Sequence, residues 1–254
     1  MVVANRVFDF VLLLASLGII GYSISAANKG KKIEIRPIAG FDAIPEAVGR
    51  AAEMGRPVHY TPGWAGLVAA TFAGLEVLGE VTKQCAKYNV RLVTCVSNPE
   101  TYAVTEQIMM QSYVEAGAAE LWRPDDCRFV SSDGTAAISA VIGVMNREQV
   151  ASNIMIGQFT VEALILAEAG NSVGALQIAG TSNIIQLPFF IVACDYTILG
   201  DEMFAAGAYF GQNKLHLGCI RGEDILKAVC IGLMVVGGVL NLAGSDALTT
   251  LMRK

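Results

Sequence analysis

The feature that most constrains this chain is an alternation. Between residues 33 and 215, short β-patterned apolar runs take turns with helix-patterned segments. Ile33-Glu34-Ile35 opens the series as a short β-like run. Ala43 to Met54 reads as a helix, stopped by Gly55 and then Pro57. Val58-His59-Tyr60 is a strand candidate. Trp64 to Tyr88 is a long helix candidate, with Glu76, Glu80, Lys83 and Lys87 on its wet side. Arg91 to Val96 (RLVTCV) has the pattern of a buried strand. Pro99 to Ala116 reads as a helix, with Asn98 as its N-cap and Pro99 at its first position. Arg128 to Val130 predicts a strand and Thr135 to Val144 a helix. Asn153 to Ile156 and Ala175 to Ala179 predict two more strands, with a helix between them at Val161 to Ala169. Residues 183–211 read two ways: Pro188 either opens a strand, FFIVAC, or kinks a helix.

Strands that alternate with helices pair in parallel through crossovers that cover both faces of the sheet. The expected fold class is therefore α/β, a Rossmann-like, mostly parallel sheet with helices on both faces. No linker rich in Pro, Ser or Gly and no internal repeat breaks the series, so 33–221 is expected to form one domain.

Two uncharged apolar runs flank that domain. From Phe10 to Asn28 there are 19 residues without a charge, enough to span a bilayer core as a helix. A signal peptide is the rival reading, and Ser25-Ala26-Ala27 resembles a weak cleavage site. Its usual basic leader is thin, since only Arg6 precedes the run and Asp9 adjoins it. The basic cluster comes after the run, at Lys29, Lys31, Lys32 and Arg36. That arrangement favours an uncleaved anchor in the cell membrane with the following domain in the cytoplasm. The second run, Ala228 to Ser245, is 18 residues long and carries Gly232, Gly237 and Gly238. Small residues let membrane helices approach closely, so it reads as a C-terminal transmembrane helix. A buried core helix is the alternative, because 18 residues is the lower edge of the spanning range. The division expected is 1–32 anchor, 33–221 α/β domain and 222–254 C-terminal helix and tail, with one or two transmembrane helices.

Composition narrows the partners. Apolar residues make up 54% of the chain and charged residues 16%, against roughly 25% charged in ordinary soluble domains. That excludes a disordered chain and points to burial in lipid or in a large interface. Between Pro37 and Arg221 there are 10 Lys/Arg and 18 Asp/Glu, a balance of −8 that is the wrong sign for a nucleic-acid binder. The six cysteines show no CxxC pair, so no zinc ribbon or dithiol redox site is implied. Those in apolar runs, such as Cys95 and Cys194, read as buried hydrophobes.

Ligands of open parallel sheets bind beyond the carboxyl ends of the strands. Those ends carry small polar residues here: Thr61 and Gly63, Ser97 and Asn98, Ser131-Ser132-Asp133-Gly134-Thr135, and Thr181. Gly-containing turns at helix N-termini present free N–H groups that suit a phosphate or carboxylate. The plainer reading of each loop is helix capping. No GxGxxG, GxxxxGK[ST] or GxSxG motif is present. No catalytic residue, cofactor or metal is assigned, because no HExxH or Cys/His cluster occurs. A triad built on Ser131 or Ser132 beside Asp133 lacks an identified base, and His59 reads as an ordinary strand histidine. Asp195, inside FFIVACDYTILG, is either a functional acid or, more plainly, a turn cap. Arg50 and Glu53 share a helical face, either to hold a neighbouring subunit or, more plainly, as a solvated pair.

Several blocks resemble an uncharacterised prokaryotic family of membrane-anchored proteins, a domain of unknown function. They are AVGRAAEMGRPVHYTPG (Ala47 to Gly63), FVSSDGTAA (Phe129 to Ala137), FTVEALILAEAG (Phe159 to Gly170) and ALQIAGTSNIIQLPFFIVACDYTILGDE (Ala175 to Glu202). The resemblance implies an N-terminal anchor and an α/β domain, and no catalytic residues.

The functional expectation is a membrane-anchored, self-assembling scaffold or accessory subunit of a larger membrane complex. Its partners are the lipid bilayer, further copies of itself and other subunits, not nucleic acid. The alternative is an enzyme or sensor that binds a small anionic ligand at the loop edge.

Overall fold

The structure, a computed structural model, describes residues 7–28, 36–211 and 214–242. The helices are α1 (Val7–Asn28), α2 (Ala39–Asp42), α3 (Ile44–Met54), α4 (Ala69–Lys87), α5 (Pro99–Glu115), α6 (Gly134–Glu148), α7 (Ala163–Ser172), α8 (Leu187–Ala193), α9 (Ala206–Gly211) and α10 (Lys214–Leu242). The strands are β1 (Val58–Gly63), β2 (Leu92–Val96), β3 (Cys127–Phe129), β4 (Ser152–Gln158), β5 (Leu176–Thr181) and β6 (Tyr196–Leu199). Contacts divide the chain into two units, Arg36–Phe210 and a unit holding α1 and α10.

In the Arg36–Phe210 unit all six strands are parallel, in the order β3-β2-β1-β4-β5-β6. The chain fills the sheet outward from β1 to β3, then crosses back and fills it from β4 to β6. Side chains alternate between two cores. Val58, Tyr60, Leu92, Ile154, Ile156 and Ile178 face α3, α4 and α5. Val93, Cys95, Met155 and Ala179 face α6, α7 and α8. Central strands buried on both faces need continuous apolar runs, and RLVTCV is such a run.

Local chemistry sets the boundaries. Asn98 accepts from the Glu100 and Thr101 N–H groups and so caps α5, with Pro99 in the first turn. Gly55 ends α3 in the left-handed region that glycine tolerates. α4 begins at Ala69 rather than at Trp64, because Trp64 to Leu67 is spent on a bend after β1. The Pro188 segment is a helix, α8, with the proline in its first turn, and the last strand starts only at Tyr196. Asp195 lies just before that strand and accepts the Gln177 N–H at 2.7 Å, so it ties β6 to β5. Arg50 donates to the Gly174 carbonyl at 3.2 Å. The expected β-like run Ile33 to Ile35 lies outside the described residues.

In the other unit α1 is apolar on every side. It is the one helix among the described residues long and apolar enough to cross a membrane, over Phe10–Asn28. α10 packs along it in the opposite direction through two glycines four residues apart. A Cβ on Gly218 would stand 2.6 Å from the Ile24 Cα, and one on Gly222 would stand 3.2 Å from the Ile20 Cα. A Cβ at Gly218 would force the backbones apart, and at Gly222 the fit is tight, so the two glycines permit the close crossing. Residues 228–242 of the second apolar run continue α10, and 243–245 lie outside the described residues.

Candidate functional site

A parallel sheet in this order reverses its direction of growth between β1 and β4. That reversal is a topological switch point, where ligands of open α/β sheets bind. The chain is tightly crossed there. Gly63 has φ +90°, and a Cβ on it would meet the Gln158 carbonyl oxygen at 2.3 Å. On the facing strand a Cβ on Gly157 would meet the Pro62 oxygen at 1.9 Å. Two glycines therefore let β1 and β4 cross at a bulge. Trp64 N–H then bonds the Gln158 carbonyl at 3.0 Å. Ser182 Oγ lies 3.2 Å from Gln158 Oε1, and Asn183 Nδ2 donates to the Phe159 carbonyl at 2.8 Å, which joins the end of β5 to that of β4.

All ten residues expected at a ligand site lie at this edge. Thr61 and Gly63 end β1, buried, and Thr61 Oγ1 accepts the Gly63 N–H at 3.4 Å. Ser97 is buried beyond β2, next to the capping Asn98. Thr181 ends β5 and accepts the Asn183 N–H at 3.2 Å. Ser131 accepts the Asp133 N–H at 3.1 Å, and Asp133 caps α6 by accepting the Ala136 N–H at 2.8 Å. Ser132, Gly134 and Thr135 are exposed around that cap. The edge does not gather them into one pocket-sized group. β3 and β5 stand on opposite sides of β1, each two strands away, or about 10 Å at the usual strand spacing.

The end of β4 is part of the same edge and was missed. Glu162 accepts the N–H groups of Thr160 and Val161 at 3.0 and 2.8 Å and the Thr160 hydroxyl at 2.8 Å. Its carboxylate thus closes the turn that leads into α7, and no side chain caps the first N–H groups of the helix itself. Its sequence signal, a strand followed by Thr160 before a helix, matches the other loops. α4 starts at the switch point, and like α7 and α8 it has no side-chain cap and no acidic residue in its first turn. Trp64 Nε1 is buried in the preceding loop without a hydrogen-bond partner.

A polar row crosses the sheet lower down. His59, Asn153 and Gln177 sit side by side on β1, β4 and β5. Asn153 Oδ1 accepts from His59 Nδ1 at 2.8 Å, and Asn153 Nδ2 donates to Gln177 Oε1 at 2.9 Å. Gln177 Nε2 ends the chain on the Ala167 carbonyl at 2.8 Å. Every donor in this direction finds an acceptor, and His59 Nε2 remains a bare, buried acceptor. Burial holds the His59 pKa down to about 4, so the ring is neutral near pH 7. It lies in the sheet, not in the loop edge, and does not serve Ser131 or Ser132 as a base.

The family described as domain of unknown function DUF6754 matches residues 1–252. The chain belongs to that family. No curated protein and no solved structure matches it.

Membership assigns no residue a role, so the remaining surface of this DUF6754 chain has to be read physically. All six cysteines are free, and Cys85, Cys95 and Cys127 are buried. Burial pushes the Cys95 and Cys127 thiols up to about 12, where they are poor nucleophiles. No group of three or more potential metal ligands occurs among the described residues. The outer side of α7 and α8 is unusual. Val161 is 77% exposed, Ile184 81%, Ile185 76% and Val192 86%, with Leu164, Ile165, Phe189 and Ile191 exposed beside them. The two helices pack on each other against the same core; Leu164, Ile165, Phe189, Ile191 and Val192 lie on them, and Val161, Ile184 and Ile185 in the turns just before them. Glu168 is the one charged residue exposed on these two helices.

Proposed function

We propose that this protein is a membrane-anchored, self-assembling structural subunit whose α/β domain associates with further copies of itself. α1 supplies the anchor, and the Lys29, Lys31, Lys32 and Arg36 cluster beyond it supports a cytoplasmic domain. The observation that carries the reading is the exposed apolar side of α7 and α8. Solvated monomers rarely leave so many large apolar side chains together in water. An anionic lipid surface is a poor occupant, because no Lys or Arg occurs between Arg147 and Lys214. A second copy of the same uncharged surface carries no such penalty, and the sparse charge of the chain suits it. Replacing both Ile185 and Val192 with Asp tests this. Both side chains are exposed, so the fold is expected to persist. The native mass of the detergent-extracted chain should then fall to a smaller assembly. An unchanged mass contradicts the reading.

A second reading rests on the switch point and the uncapped start of α4, which suit a small phosphate-bearing ligand. Pyrophosphate is the probe. A rise in the thermal midpoint of the full chain at millimolar pyrophosphate supports a ligand site, and no shift leaves self-assembly alone.

A further inference from the structure

β3 is an edge strand of three residues, and its outer side is open. The Val130 N–H points inward, to the Val96 carbonyl at 3.0 Å. Alternation along a parallel ladder therefore turns the Phe129 N–H and C=O outward. Such an edge is a template for another strand. α5 and α6 flank it and leave a groove, with Tyr102 on one wall, Ala140 and Arg147 on the other, and Phe129 between. Phe129 is 46% exposed and stands edge-on to the Tyr102 ring.

The charges point to the occupant. Arg128 is committed, to Glu148 at 2.7 Å and to the Asp125 carbonyl at 3.1 Å. Arg147 is exposed and takes part in none of the ion pairs among the described residues. Asp133, Ala140 and Arg147 follow one another at intervals of seven, so they form one stripe along α6. Asp133 uses one carboxylate oxygen for its cap and stands at the other end of the stripe. Ala140 is the midpoint, small enough for a close helix approach. A twofold axis passing Ala140 sets Arg147 of each copy against Asp133 of the other. The same axis, normal to the sheet, lays the two open β3 edges antiparallel.

We propose that the β3 edge and the Asp133–Ala140–Arg147 stripe form a twofold contact with a second copy of this chain, joining two six-stranded sheets into one. The proposal rests on the self-assembly reading and gives it a second, separate surface. Two different self-contacts on one chain build assemblies larger than a dimer.

The test is native mass spectrometry of the full chain in detergent, with thermal midpoints as a control for folding. Arg147→Glu should place like charges together and weaken association at least tenfold. Asp133→Asn keeps a good cap and removes the charge, so it should weaken association without unfolding α6. Combining Arg147→Glu with Asp133→Arg restores the opposite pair and should restore the wild-type mass. Unchanged masses in the single variants overturn the proposal, as does a double variant that stays dissociated. If only the Ile185 and Val192 replacements lower the mass, the β3 contact is wrong and self-assembly stands. If the wild-type chain is a monomer, both fall.

Discussion

His59 has its physical consequence one residue at a time. In the unfolded chain its pKa is near 6.5, and in the fold burial lowers it to about 4. The unfolded state thus binds more protons between those values, and stability rises with pH across that window. The protein should be fully stabilised in this respect above pH 6.5 and lose roughly 2 kcal/mol on going to pH 5. Urea midpoints at pH 7.5 and 5 measure it, and His59→Gln should flatten the difference. Gly170 supports the same row from above. A Cβ there would lie 2.1 Å from Gln177 Oε1 and 2.9 Å from Asn153 Nδ2, in amides fixed by their own bonds. Gly170→Ala should cost roughly 2 kcal/mol or more, read as a lower urea midpoint at constant slope. The sequence marked His59 only as a strand histidine. Its partners are 94 and 118 residues away, and the register that aligns them is set by pairing between distant strands.

Whole elements were more legible where their signals are local. The Asn98 cap with Pro99, the Gly55 stop and the buried run of β2 follow from adjacent residues. The start of α4 and the identity of the Pro188 segment do not. The first depends on the glycine crossing with β4, and the second on whether an apolar run packs as a helix or pairs in the sheet. The α1–α10 pair adds a constraint that hydropathy hides. Gly222 lies beside Ile20, midway along the apolar run of α1, so Arg221, Glu223 and Asp224 run next to that run's centre. The apolar run from Ala228 begins further along. The two apolar runs are therefore displaced along the pair instead of lying level. Gly222→Leu should force the helices apart and lower the thermal midpoint of the detergent-extracted chain by several degrees. Gly232→Leu, where a Cβ meets nothing within 4 Å, should not.

At the scale of the molecule, alternation predicted a parallel sheet but not its order. The return from the β3 edge to β4 at the centre is carried by α6, and no local pattern in α6 announces where its strand will dock. That order creates both the switch point and the open β3 edge. It also explains why the ten small polar residues at the loop edge are spread across five strands of the sheet. Several of them close turns and cap helices. What the surface leaves unsatisfied is an apolar side on α7 and α8 and a strand edge beside a self-complementary stripe. Both are the surfaces on which the proposed self-contacts rest. The native mass of the full chain, extracted in mild detergent, tests this most directly. An assembly larger than a dimer is the predicted result, and a monomer at micromolar concentration contradicts the account.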